Sequence, residues 1–106
     1  MSNELAAIQQ TLAAYCHHVD HGTAAEVSQL FTEDALLMPY YDGDYDLRGR
    51  DEILDWYSFY HQKMSETVKN LRHSISTAYI NVDGNTARSS CHLTATFTMK
   101  EDNITY

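Results

Sequence analysis

Positive charge is scarce in this chain. Of 106 residues, seven are Lys or Arg against fifteen Asp or Glu, giving a formal net charge of -8 with histidine neutral. A surface of that sign repels phosphate backbones and anionic lipid, and no run of Lys or Arg offsets it locally. Nucleic acid is therefore not an expected partner. Apolar runs are short as well: Ala35 to Met38 falls far below the roughly 20 residues that cross a bilayer. The acidic, amphipathic N-terminus lacks the basic and apolar regions of a signal peptide, so the expectation is a cytoplasmic protein with no membrane partner. Cysteine is limited to Cys16 and Cys91, whose isolation excludes a disulfide framework, a redox pair or a structural zinc site and leaves both as small core residues. What remains is an ordinary globular composition, 43% hydrophobic and 21% charged. At 12.1 kDa, the chain is long enough for one domain, spanning residues 1–106, and too short for two.

Apolar positions Leu5, Ile8, Leu12, Tyr15, Cys16 and Val19 recur at steps of three and four, which predicts a helix with one buried stripe that Gly22 can end. Thr23 and Glu26 then form a capping box ahead of Val27, Leu30 and Phe31, the buried face of a short second helix. Ala35 to Met38 stops at Pro39, and the Asp42-Gly43-Asp44 turn leads to Tyr45 and Leu47, a small hairpin. From Asp51 the helical period returns through Ile53, Trp56, Tyr57, Tyr60 and Met64, with Asp51 and Glu52 at the positive end of the helix dipole.

The last third changes period to two. Leu71, His73, Ile75, Thr77 and Tyr79 alternate with polar neighbours before the phase slips to Ile80 and Val82, which predicts a bulge near Tyr79. Asp83-Gly84 makes a hairpin turn, and the next strand places Ala87, Ser89, Cys91, Leu93, Ala95, Phe97 and Met99 on one face. Ile104 and Tyr106 open a further strand. Helices first and long strands last argue for an α+β domain with helices on one face of an antiparallel sheet.

In this pattern His73 points inward with apolar neighbours and needs a polar partner. Asp20, on the flank of the first helix's stripe, can turn inward to supply it. An aspartate on one ring nitrogen fixes the tautomer of the other and stabilises the imidazolium, making the histidine a usable base. The plain alternative is that the pair only joins helix to sheet. Tyr15, Trp56, Tyr57 and Tyr60 can line an aromatic pocket or simply be core. His17 and His21 stand at i, i+4 but lie opposite the apolar stripe, so no metal is expected; His18 and His61 read as surface residues.

The segments YCHHVDHG (Tyr15 to Gly22), LFTEDA (Leu30 to Ala35), LRGRDEI (Leu47 to Ile53) and RHSISTAYINVDGNTA (Arg72 to Ala87), in that order, resemble the SnoaL-like branch of the nuclear-transport-factor-two-like superfamily. The resemblance implies a cone of curved antiparallel sheet closed by three N-terminal helices around a pocket, with one or two further strands beyond those legible here. It also implies chemistry. Scytalone dehydratase and the lindane dehydrochlorinase, relatives in that superfamily, remove a proton from carbon with an Asp-supported histidine, and Asp20 and His73 match those positions. Tyr40 is similar to a tyrosine that polarises the dehydratase's substrate. Where that enzyme has a second inward histidine, this sequence offers Cys91 or Phe97.

The expectation is a cofactor-independent lyase or isomerase for a mostly apolar small molecule, with Asp20, His73 and Tyr40 catalytic and Tyr15, Trp56, Tyr57, Tyr60, Cys91 and Phe97 binding substrate. The alternative is a non-catalytic ligand-binding or dimerisation module of the same fold. A homodimer is expected in either case, because the long last strand carries a short-chained polar face of Ser90, His92, Thr94, Thr96 and Thr98 and its sheet reads as unfinished.

Overall fold

Helix α1 (Ser2–His21) follows the predicted stripe, and its last turns bury Cys16 and Val19. The computed structural model in which it is seen describes residues 2–39 and 45–106. Gly22 ends the helix, its N–H donating to the His18 carbonyl at 2.9 Å. A Cβ there would stand 2.9 Å from His18 Cα and 2.8 Å from Glu26 Oε1, so this corner needs a glycine. Helix α2 (Ala24–Ser28) opens on the capping box: the Glu26 N–H donates to Thr23 Oγ1 at 3.1 Å, and the Thr23 N–H donates to Glu26 Oε1 at 2.9 Å.

Strand β1 (Leu36–Leu37) pairs antiparallel with β2 (Leu47–Arg48), forming the small predicted hairpin. Its turn and Tyr40 lie outside the described residues. Helix α3 (Gly49–Thr67) starts two residues before the expected Asp51. Gly49, at φ 85°, lets the chain leave β2 at once. The Arg50 guanidinium donates to the Phe31 carbonyl at 3.0 and 2.7 Å, fastening the first turn of α3 to the chain beyond α2. Val19, Val27, Leu47, Ile53 and Tyr57 meet in the core, with Val27 and Ile53 fully buried. Each side chain so buried contributes about 1.5–3 kcal/mol.

Strand β3 (Val68–Asp83) follows α3 directly, three residues before the alternation becomes legible at Leu71, and pairs antiparallel with β4 (Thr86–Met99). Gly84, at φ 60°, supplies the positive φ of the short loop between them. The register slips between Ser76 and Tyr79, as the change of phase predicts, and also between Lys69 and Arg72, which no feature of the period announces. Beyond β4, Tyr106 and Phe97 exchange backbone hydrogen bonds of 2.8 and 3.1 Å, so Ile104 to Tyr106 does return along β4. Thr98, expected on the open polar face, is buried at this return, where its hydroxyl meets that of Thr105 at 2.9 Å.

The architecture is α+β. Among the described residues the antiparallel sheets are two-stranded and do not close on themselves. Cys91 departs from expectation: Cys16 is buried, but Cys91 is exposed. Cys91 shares the face of Leu93, which is itself 53% exposed, so its exposure reflects an uncovered stretch of β4, whose residues 86–96 are all exposed. No helix of the described residues is long and apolar enough to cross a membrane.

Candidate functional site

Asp20 stands at the last turn of α1, next to Val19, which is 2% exposed. That burial packs the end of the helix into the core with Val27, Leu47, Ile53 and Tyr57, and brings Asp20 to β3, where the period of two turns Leu71, His73 and Ile75 to the same side. The two meet as a doubly bonded pair. His73 donates its Nδ1–H to Asp20 Oδ1 at 2.6 Å and its backbone N–H to Asp20 Oδ2 at 2.7 Å. Their side chains are 8% and 6% exposed, so the bond is made away from competing water. With Nδ1 protonated, the lone pair of the neutral ring is on Nε2, and Nε2 lies 3.4 Å from the hydroxyl of Tyr60 on α3.

His73 is part of the wall of a cavity of about 780 Å³, within the size range of small-molecule sites. Tyr15 comes to it from α1, Trp56, Tyr57 and Tyr60 from α3, and Phe97 from β4. Asp20 is absent from that wall and instead lines a second hollow of about 320 Å³, so it backs the imidazole and leaves the ring to face the cavity. Among the described residues, the lining holds no Asp, Glu, Lys or Arg.

Aromatic rings run from Tyr15 to His73. Tyr15 and Tyr57 share a hydrogen bond of 2.7 Å between hydroxyls, and Trp56 and Tyr60 stack with centroids 5.5 Å apart and planes 11° apart. Burial pushes the Tyr60 phenol up to about 12, with Tyr15 and Asp20 adding to the effect. Tyr15 is raised mainly by burial, against the lowering influence of its bond to Tyr57. Both phenols therefore hold their protons through neutral pH and act there as hydrogen-bonding groups. Cys16, one turn before Asp20, has its thiol pushed up by burial and then by the charge of Asp20.

The model of the SnoaL-like domain family matches residues 1–106. The chain belongs to the SnoaL-like domain family. Solved structures agree on the fold. A Catenulispora acidiphila protein in complex with S-DNPA is 20% identical with a TM-score of 0.76, covering 100% of this chain and 75% of its own. A scytalone dehydratase-like protein of Novosphingobium aromaticivorans is 20% identical with a TM-score of 0.75, over 99% and 70%. A nuclear transport factor 2-like superfamily protein of Salmonella enterica serovar Typhimurium is 21% identical with a TM-score of 0.74, over 99% and 72%. The chain spans 62% to 75% of the length of eight solved structures that it matches. A search of the curated proteins finds no match.

This SnoaL-like chain brings some of the predicted site residues together and leaves others apart. Asp20 and His73 come together; Tyr15, Trp56, Tyr57, Tyr60 and Phe97 line the cavity; Cys91 does not, and Tyr40 lies outside the described residues. His17 and His21 are exposed with ring centroids 6.5 Å apart, and the described residues contain no cluster of three metal-ligating side chains. His61, read as a surface residue, is half-buried, its Nε2 2.9 Å from the Val19 carbonyl. Two relations escape the sequence: the Tyr15–Tyr57 bond and the approach of Tyr60 to Nε2. Their only trace is a set of tyrosines at helical spacing, which does not say what each one meets.

Proposed function

We propose that the chain is a small cofactor-independent lyase or isomerase that removes a proton from carbon in a mostly apolar organic molecule. The observation that carries this reading is the buried 2.6 Å bond from His73 to Asp20 at the wall of a cavity. His73 acts as the base through Nε2. Asp20 orients the ring and meets the imidazolium, once formed, with a charge-assisted hydrogen bond. Tyr15, Trp56, Tyr57, Tyr60 and Phe97 bind the ligand through apolar contact, and the S-DNPA held by the Catenulispora relative supports such use of the fold. Tyr40, by its likeness to the dehydratase tyrosine, hydrogen-bonds the developing negative charge. The reading includes a cytoplasmic homodimer in which the exposed Ser90, His92, Thr94 and Thr96 of β4 face a second copy.

The test is exchange of acidic C–H positions into deuterated water across a panel of cyclic ketones. His73→Gln is expected to lower the rate about 10²–10⁴-fold with the thermal midpoint nearly unchanged. A second reading, a non-catalytic ligand-binding module, draws support from the bond between Asp20 Oδ2 and the His73 backbone N–H at 2.7 Å, which ties α1 to β3 and needs no imidazole. Parallel loss of fold and turnover in His73→Gln would favour it.

A further inference from the structure

Resting on the reading of His73 as a base, we infer that Tyr60 is a further catalytic residue, donating, beside the role proposed for Tyr40, a hydrogen bond from its hydroxyl to the ligand oxygen next to the carbon that His73 deprotonates. The ligand is then an uncharged carbonyl compound with a C–H beside the carbonyl. The separation of Tyr60 Oη and His73 Nε2, 3.4 Å, is at the weak end for a hydrogen bond, so neither atom is committed to the other. In a ketone the α carbon and the carbonyl oxygen stand about 2.4 Å apart, as the C–C and C=O bond lengths require. The base approaches along a C–H bond that stands across the carbonyl plane, and the donor lies near that plane. A base about 3 Å from the carbon and a donor about 2.7 Å from the oxygen therefore stand roughly 4–5 Å apart. Nε2 and Oη, adjacent on the wall of the cavity at 3.4 Å, reach that spacing by parting about 1 Å as the ligand enters between them.

The rest of the wall narrows the choice of donor. When the C–H proton passes to Nε2, its electron pair moves through the α carbon to the carbonyl oxygen, which takes up negative charge as an enolate while the ring becomes imidazolium. No Lys or Arg among the described lining residues can receive that charge; the bond between the Tyr15 and Tyr57 hydroxyls takes up one of their two protons, and it is the Tyr60 hydroxyl that stands 3.4 Å from Nε2. Tyr60 is the phenol beside the base. With its acidity pushed to about 12 by burial, it keeps its proton and donates without transferring it. Its ring lies flat on Trp56, whose indole N–H donates to the Tyr45 hydroxyl at 2.7 Å, so Oη is positioned before the ligand arrives. Such preorganisation makes a donor effective at the moment charge develops.

Two measurements on the full chain separate this inference from the reading beneath it. Deuterium exchange at C1 of 2-tetralone, followed by NMR, reports proton abstraction; binding of 4-nitrophenol, followed by its phenolate absorbance, reports the donor without turnover. Tyr60→Phe keeps the stacked ring and removes the hydroxyl. It is expected to lower the exchange kcat about 10²-fold or more, to leave KM within about threefold, and to weaken nitrophenolate binding about tenfold or more. Wild-type exchange rate in Tyr60→Phe overturns the inference, as does nitrophenolate binding that is unchanged in the variant or absent from the wild type. No exchange by the wild type, with nitrophenolate binding still lost in Tyr60→Phe, fells the base and leaves the donor. Should Tyr60→Phe lose its fold, His73→Gln decides: bound 4-nitrophenol must be more ionised than the free dye at the same pH, and equal ionisation overturns the donor.

Discussion

The first half of β3, from Val68 to Ile75, turns alternate side chains toward the helices, and Val68, Leu71 and His73 wall the cavity. In the second half, from Ser76 to Asp83, a similar residue pattern leaves Tyr79 70% and Val82 36% exposed, and only Ile80 half-buried. The register slip between Ser76 and Tyr79 divides the two halves. Alternation decides which face of a strand a side chain takes; what covers that face decides whether the side chain is buried. Asp20 of α1 and Tyr60 of α3 both reach His73, so the helices give the first half a site that the second half, with its own apolar alternation, does not have.

The sharpest way to test this contrast is through activity. Asp20→Asn offers His73 an amide in place of a carboxylate. If the amide oxygen keeps the backbone N–H, its NH₂ faces Nδ1 and forces the proton onto Nε2, the nitrogen proposed as the base. Ketone exchange is expected to fall about 10²–10⁴-fold, while Cys91→Ser, opposite the slip, leaves it unchanged. An active Asp20→Asn would break the assignment.

Stability should divide along the same line. Ile53→Ala opens a cavity at a fully buried position and is expected to cost about 2–5 kcal/mol in urea unfolding. Tyr79→Ser, at a 70% exposed position, should stay within about 0.5 kcal/mol. A large cost for Tyr79→Ser would mean that a second surface covers the outer half in solution.

Much of the helical half was legible from the residues alone. Thr23 and Glu26 announce their capping box because both partners lie three residues apart, and Asp83-Gly84 announces its turn for the same reason of short range. The Asp20–His73 pair was legible at a separation of 53 residues because two periods each turned one polar side chain inward. Cys91 misled because a period of two assigns it a face and says nothing of what covers that face; Leu93 beside it is 53% exposed as well. Tyr60 could be placed on α3 but not against Nε2, since the angle of α3 to β3 is set by packing around Ile53 and Tyr57. Asn70 carries a hint unused by periodicity: its φ of 56° is a conformation asparagine tolerates better than most residues.

Alkaline pH gives a smaller test of the covered half. Tyr60 titrates near 12 in the folded chain against an ordinary 10.0, and Tyr15 is shifted the same way by burial. A proton held more tightly in the folded state gives a contribution to stability that is complete below pH 10 and lost as pH rises toward 12. The thermal midpoint should fall through that window, and Tyr60→Phe should flatten the fall. An unchanged profile in Tyr60→Phe would place the alkaline sensitivity elsewhere.

The two register slips permit the finest comparison. At the slip beside the helices the left-handed residue is Asn70, and at the outer one it is Thr77, both at φ 56°. Asparagine tolerates this region through local hydrogen bonding, whereas a β-branched threonine there strains against its own backbone by about 1–2 kcal/mol. Thr77 is exposed, so its replacement removes little packing. Thr77→Asn should therefore stabilise the chain by about 0.5–1 kcal/mol, and Asn70→Thr should destabilise it by a similar amount, both measured as shifts of the urea midpoint at constant slope. Opposite signs for the exchanged residues would show that the two slips share one backbone requirement. A destabilising Thr77→Asn would mean that the Thr77 side chain makes a contact in solution that repays its strain.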